Sequence, residues 1–217
     1  MKYVEMLVNG YKFVVGRICL MDWLAPLLLR IYLAPVMIQA GVTKLQAFDS
    51  TVDWFGNDEW GLGLPVPGVM AGIVVLVELI GGVFLLMGFL TRIVSLPLIV
   101  VMLVAAITVH GENGWLAIAD ADSWFADGTL YFDASVLEAR DRMSAINSLL
   151  RDHGNYKWLT SSGKPVILNN GMEFAVTYLL MLLSLLYSGG GNGISLDYWL
   201  KAWWRKRERK LQSFIRE

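Results

Sequence analysis

Residues 68–109 decide the fold of this chain, and they read GVMAGIVVLVELIGGVFLLMGFLTRIVSLPLIVVMLVAAITV. The whole stretch contains only two charged side chains, Glu78 and Arg92. The runs 68–90 and 93–109 are each long enough to cross a bilayer as a helix, which takes about 17–25 apolar residues. Only Thr91 and Arg92 separate these two runs. We therefore predict a tight antiparallel hairpin of two membrane-spanning helices.

The composition of the chain agrees with a membrane location. Of its 217 residues, 56% are hydrophobic and 17% are charged, whereas soluble domains have about 25% charged residues. The net charge of −1 gives no reason to expect a nucleic-acid partner. A single cysteine, Cys19, excludes a disulfide framework, a CxxC motif and a cysteine-rich metal site within one chain. These features argue against a soluble globular enzyme and favour a small protein embedded in the lipid bilayer.

Two further runs are long and apolar enough to span a membrane. The run 23–42 carries one charge, Arg30, and the run 171–188 carries Glu173 near its start. Each has to be helical, because lipid offers no hydrogen-bond partner to an unpaired backbone. The predicted fold class is therefore all-α, an integral membrane four-helix bundle.

Charge predicts how the bundle is oriented. The tail from Asp197 carries seven basic and three acidic residues, and Lys and Arg collect on the cytoplasmic side. We expect no cleavable signal peptide, and we expect a multi-pass membrane protein with both termini in the cytoplasm. The predicted parts are a cytoplasmic amphipathic segment (1–22), transmembrane helices one to three (23–109), an extracytoplasmic insertion (110–170), the fourth transmembrane helix (171–188) and a basic cytoplasmic tail (189–217).

The insertion between the third and fourth spans has its own helix signal. Residues 134–152 place apolar side chains on one helical face, with Asp133 as the N-cap and Gly154 as the stop. We predict an extracytoplasmic helical cap built around this amphipathic helix. In the tail, Asp197 is placed to cap another helix.

Arg30 and Glu78 are the charged residues that fall well inside predicted spans, whereas Glu173 lies near the start of its span. A charge near the bilayer centre costs about 3 kcal/mol on insertion scales, so each needs a partner or a function. We predict that Arg30 and Glu78 form a buried polar pair. Such a pair could be the catalytic site for a quinone head group or a proton, or it could only fix the register of two helices.

Polar residues at the predicted outer ends of the helices form a second candidate site. Lys44, His110, Asn170 and Glu173 are its candidate ligand-binding residues, although Glu173 could simply favour the positive end of its helix dipole. We expect no metal site: the ten methionines could bind Cu(I), but they are scattered at no ligand spacing. A defined copper site within one chain is therefore not expected.

Taken together, these motifs resemble the DoxX family of small membrane proteins. The first span reads LLLRIYLAPVMIQAGVTKL, with Arg30, Gly41 and Lys44. The second reads ELIGGVFLLMGFLTR and carries Glu78 and Arg92. The fourth, with its exit, reads NNGMEFAVTYLLMLLSLLYSGGGNGISLD. The insertion after His110 is similar to longer proteobacterial DoxX-like proteins, including HvfX, which is encoded beside genes for copper-binding modified peptides.

The resemblance implies a four-helix bundle of the bacterial inner (cytoplasmic) membrane with a loose link to quinone-coupled redox chemistry. It leaves three functions open. The chain could be a redox component that holds a quinone and receives electrons from a membrane or periplasmic partner, as an oxidoreductase subunit acting on quinone. It could be a non-enzymatic anchor or assembly factor in a metal or oxidative-stress system or a copper-binding-peptide system. It could also be a small transporter that works as a homo-oligomer.

Overall fold

The computed structural model describes residues 2–19 and 21–216, and within them the regular elements are helices. They are α1 (Lys2–Cys19), α2 (Leu24–Gln46), α3 (Phe48–Gly56), α4 (Pro67–Met87), α5 (Thr91–Val104), α6 (Ala134–His153), α7 (Tyr156–Leu159), α8 (Glu173–Ser188) and α9 (Leu196–Arg216). A π-helical segment, Ala105–Val109, continues α5. The predicted all-α class is confirmed.

Three of these helices are long and apolar enough to cross a membrane: α2, α4, and α5 with its π-helical continuation. They present large apolar side chains outward, for example Leu76 on α4 and Val100 on α5, which are 57% and 58% exposed. In water such surfaces would aggregate, whereas in a bilayer they contact lipid. The helix α8 is apolar but shorter, at 16 residues. The chain is therefore a multi-pass membrane protein.

The chain divides into two compact units, 1–101 with 179–217, and 102–178. In the first unit, α2 packs against α4, and α3 also contacts α4. The core of this unit is apolar and includes Leu33, Met37, Leu85, Leu98 and Leu182, each nearly or fully inaccessible to solvent.

The second unit contains the predicted amphipathic helix. Helix α6 begins as expected, because the Asp133 carboxylate accepts hydrogen bonds from the backbone N–H groups of Ser135 at 3.1 Å and Val136 at 3.3 Å. Val136 is fully buried against Leu116 and Ala126. The sequence therefore placed this helix and its N-cap correctly.

The connection between α4 and α5 differs from the prediction. Helix α4 ends at Met87 rather than at residue 90, because Gly88 takes a left-handed conformation with φ of 66° and its N–H bonds back to the Leu85 carbonyl. Helix α5 then begins at Thr91, which was expected to lie in the turn. The antiparallel hairpin itself is present, with Gly81 against Leu98.

Candidate functional site

Close packing of α2 against α4 positions the first group of polar side chains. A Cβ atom on Gly41 would lie 2.8 Å from Cγ of Leu79. A Cβ atom on Gly82 would lie 2.7 Å from Cγ1 of Ile38 and 3.0 Å from its backbone nitrogen. Small residues are what allow membrane helices to approach this closely. The two contacts therefore fix the register of the helix pair.

In that register, Lys44 on α2 forms an ion pair with Glu78 on α4. The Lys44 Nζ atom lies 2.8 Å from both carboxylate oxygens of Glu78. The Glu78 side chain is 2% exposed, whereas that of Lys44 is 30% exposed. Lys44 donates a hydrogen bond to each oxygen of this carboxylate. Glu78 is thus buried, and its partner Lys44 connects it to the protein surface.

The predicted pair between Arg30 and Glu78 is wrong. Both side chains are buried, but the Arg30 guanidinium lies against Gly88, which follows Glu78 by ten residues. That separation is about 15 Å along a helix. The first span was predicted to end before Lys44, yet α2 continues to Gln46. The register set by Gly41 and Gly82 places the turn that carries Lys44 beside Glu78, and not the turn that carries Arg30.

Arg30 instead binds backbone carbonyl groups at the end of α4. Its Nε atom donates to the Leu85 oxygen at 2.7 Å and its Nη2 atom donates to the Leu86 oxygen at 2.9 Å. Its Nη1 atom donates to the Gly190 oxygen. The last carbonyls of a helix lack intrahelical partners and favour a cation. Through these hydrogen bonds, Arg30 on α2 connects the C-terminal end of α4 with the loop after α8.

Asp197 has a related role that the sequence did not reveal. It lies in the first turn of α9, but its carboxylate accepts hydrogen bonds from the N–H groups of Leu90 at 2.7 Å and Thr91 at 2.9 Å. It therefore caps α5, more than a hundred residues away in the chain, and not its own helix as predicted. Nothing in the sequence around Asp197 indicates such a distant acceptor role.

Three of the predicted outer-face residues lie together in the second unit. The Nδ1 atom of His110 is 2.9 Å from the Asn170 carbonyl oxygen. A carboxylate oxygen of Glu173 accepts a hydrogen bond from the N–H of Ala117 at 3.0 Å. Lys44 belongs to the first unit, where its partner is Glu78. In the described parts of the chain, no group of three or more His, Cys, Asp or Glu side chains is placed to hold a metal ion.

The family comparison covers mainly residues of the first unit. Residues 25–111 match the DoxX family model. A relative named "Putative oxidoreductase CatD", from Bacillus subtilis (strain 168), is 33% identical over 96 residues, which cover 44% of this chain and 67% of the relative. This chain belongs to the DoxX family. No solved structure matches the sequence.

The DoxX match contains most of the candidate residues. Arg30, Lys44, Glu78 and His110 fall inside residues 25–111, whereas Asn170 and Glu173 lie beyond them. The Lys44–Glu78 pair and the glycines that bring its helices together are thus part of the segment that carries the DoxX likeness.

Proposed function

We propose that this DoxX protein is a quinone-linked redox component of the bacterial inner membrane, with the Lys44–Glu78 pair as its site. The observation that carries the proposal is a carboxylate, 2% exposed, whose ammonium partner is itself 30% exposed. An intramembrane acid paired in this way is by default a candidate functional group. The relative named an oxidoreductase supports the choice of redox chemistry over transport.

The residues at this site suit a quinone head group as substrate. An ammonium group has more N–H donors than its two bonds to Glu78 use, so Lys44 can also donate to a quinone carbonyl oxygen. Glu78 can pass a proton to the same oxygen or take one from it. The apolar tail of the substrate would lie along outward-facing side chains such as Leu45 and Leu76, which are 53% and 57% exposed.

The chain needs a partner for the electrons. Reduction of a quinone to a quinol consumes equal numbers of electrons and protons, so a membrane or periplasmic partner protein supplies the electrons while Glu78 relays protons. In the proposed topology α2, α4, α5 and α8 form a four-helix bundle, residues 110–170 form an outer cap, and both termini are cytoplasmic. The basic tail supports this orientation.

The test is to count quinone molecules per chain in protein purified in native lipid. Wild type should carry about one quinone per chain, well above the amount in bulk lipid. The Glu78→Gln and Lys44→Met variants should carry roughly tenfold less, which corresponds to about 1.4 kcal/mol of lost binding energy. The matched control is Glu138→Gln, since Glu138 is an exposed acid paired with Arg142 at 2.7 Å in the second unit.

Two results would count against the proposal. Wild-type protein that contains no more quinone than bulk lipid would exclude a bound quinone. Equal loss in Glu138→Gln would show that the loss of quinone is not specific to the buried pair.

A role as a membrane anchor or assembly factor is the second candidate function. It is favoured by exposed aromatic side chains in the second unit, where Trp124, Phe132 and Trp158 are 66%, 63% and 71% exposed. Aromatic residues of this kind are enriched where proteins bind one another. Replacing all three by serine should abolish co-purification of a partner and leave the quinone content unchanged if this surface docks a protein.

A further inference from the structure

A cavity of about 440 Å³ lies in the first unit beside the start of α5 and the loop between α8 and α9. It does not include Lys44 or Glu78. Three cationic side chains line it: Arg92 at the start of α5, and Lys201 and Arg205 on α9. Lys201 and Arg205 are one helical turn apart and so share a face of α9.

These cations keep hydrogen-bonding capacity for a ligand. Within residues 2–19 and 21–216, neither Lys201 nor Arg205 forms an ion pair. Arg92 makes one hydrogen bond, from Nη2 to the Tyr187 carbonyl oxygen at 2.8 Å. The remaining guanidinium N–H groups of Arg92 have no acceptor in the described chain, and an arginine fork suits the paired oxygens of a phosphate.

One carboxylate, that of Asp197, also lines the cavity. Both of its oxygens already accept backbone hydrogen bonds, from Leu90 and Thr91, so it is held at the end of α5. Three cationic side chains and one carboxylate therefore line the cavity, and its net charge is positive. Gly190, Gly191 and Asn192 also line the cavity, and their N–H groups donate no hydrogen bond within the part of the chain that the structure describes.

The loop that contributes these N–H groups has an unusual backbone. Gly189, Gly191 and Gly193 have φ of 76°, 88° and 80°, whereas Gly190 and Asn192 between them do not have positive φ. Alternation of this kind turns successive N–H groups toward one side and creates a concavity that binds anions. The glycines are needed because other residues rarely adopt such φ values.

We propose that this cavity binds a phosphate group, and that the head group of an anionic phospholipid supplies it. The apolar part of the cavity favours a lipid over a soluble phosphate. Leu90 and Ile93 line the same cavity and are 38% and 61% exposed, and Ile93 begins the outward face of the membrane-spanning α5. An acyl chain can follow that face while the phosphate contacts Arg92, Lys201 and Arg205. This site does not depend on the proposed quinone function.

The experiment is native mass spectrometry of the full-length chain in detergent, titrated separately with phosphatidylglycerol, phosphatidylcholine and inorganic phosphate. Wild type should bind phosphatidylglycerol about tenfold more tightly than phosphatidylcholine. The phosphate of either lipid accepts charge-assisted hydrogen bonds, but phosphatidylcholine also brings a choline cation that the cationic side chains of the cavity repel. The double variant Lys201→Gln/Arg205→Gln removes two cations and leaves the bond from Arg92 to Tyr187 intact. It should weaken phosphatidylglycerol binding about tenfold, or about 1.4 kcal/mol.

The control is Lys206→Gln/Arg209→Gln, which removes the same charge from the same helix outside this cavity. It should change the affinity for phosphatidylglycerol less than about threefold, as expected for charges that act only at long range. Equal loss in the two double variants would overturn the proposal, because the tail would then attract anionic lipid without a defined site. If wild type binds both lipids equally but binds inorganic phosphate, and Lys201→Gln/Arg205→Gln loses that phosphate, the phosphate site would be supported and the lipid overturned as its source.

Discussion

The Nζ atom of Lys44 lies 2.8 Å from both carboxylate oxygens of Glu78 and joins the last turn of α2 to the middle of α4. The two partners are not equivalent, because the Glu78 side chain is 2% exposed and the Lys44 side chain is 30% exposed. A lysine at the edge of a helix bundle can direct its ammonium toward the polar interface when its partner is lost. A carboxylate enclosed by apolar helices has no such alternative.

This asymmetry predicts unequal costs for removing the two charges. Lys44→Met should destabilise the protein by about 3–5 kcal/mol, because it leaves a buried carboxylate without a partner. Glu78→Gln should cost about 1–3 kcal/mol, which is the range for an imperfectly satisfied polar group. The double variant should be more stable than Lys44→Met alone. Unfolding in mixed micelles of rising SDS fraction measures all three free energies.

The exposed pair Arg142–Glu138, whose side chains are 65% and 63% exposed, is the matched control. Arg142→Met should change the free energy of unfolding by no more than about 1 kcal/mol. If Glu78→Gln cost as much as Lys44→Met, or if the two single costs simply added in the double variant, the two residues would not be coupled as the structure shows.

The glycines between α2 and α4 predict a second measurable contrast. Gly82→Ala places a Cβ atom 3.0 Å from the Ile38 nitrogen and 3.1 Å from the Ala34 oxygen, and backbone atoms cannot move aside cheaply. It should destabilise the protein by about 1–3 kcal/mol. Gly72→Ala lies in the same helix with nothing within 4 Å, so it should be neutral or stabilise by up to about 1 kcal/mol. Thermal unfolding of both variants in one detergent gives the comparison.

The same contacts explain how far the sequence could predict this site. Long apolar runs identify α2, α4 and α5, because hydrocarbon imposes helical structure on any segment that crosses it. Hydropathy also identifies Glu78 and Arg30 as charges that need partners. The choice of partner depends on the register between α2 and α4, which is set by the contacts of Gly41 with Leu79 and of Gly82 with Ile38. Hydropathy carries no information on that register, so Lys44 was assigned to a different site.

The hydrogen-bond partners of Asp197 could not be predicted either, because they lie more than a hundred residues away in the chain. Capping rules relate a side chain to backbone N–H groups a few residues away, and they correctly identified Asp133 at the start of α6. The acceptor for the start of α5 comes from α9. Only the folded chain brings those segments together.

Arg30 should be a structural residue rather than part of the quinone site. Arg30→Lys keeps the charge but loses the planar fork that reaches the carbonyl groups of Leu85, Leu86 and Gly190 together. Hydrogen bonds from a charged group contribute about 1.5–3 kcal/mol each, so this variant should be less stable by at least one such bond. The protein that does fold should still contain as much quinone per chain as wild type.

Arg92→Lys is the control for this prediction, since among the residues that the structure describes the Arg92 side chain makes a single hydrogen bond, to the Tyr187 carbonyl oxygen. Its loss of stability should be smaller than that of Arg30→Lys in the same unfolding assay. A stable Arg30→Lys protein without quinone would contradict this assignment and support Arg30 as a candidate catalytic residue.

Removal of the Asp197 carboxylate should loosen the start of α5. Asp197→Ala deprives the N–H groups of Leu90 and Thr91 of their acceptors, and loss of an N-cap costs about 0.5–2 kcal/mol. Amide hydrogen exchange should become faster at residues 90–94 and at the first turn of α9, which the same carboxylate holds against α5. Asp133→Ala, which removes the local cap of α6, should accelerate exchange at residues 135–137 alone. If exchange in Asp197→Ala rose only within α9, the carboxylate would be a local cap and the link between the two helices would be absent in solution.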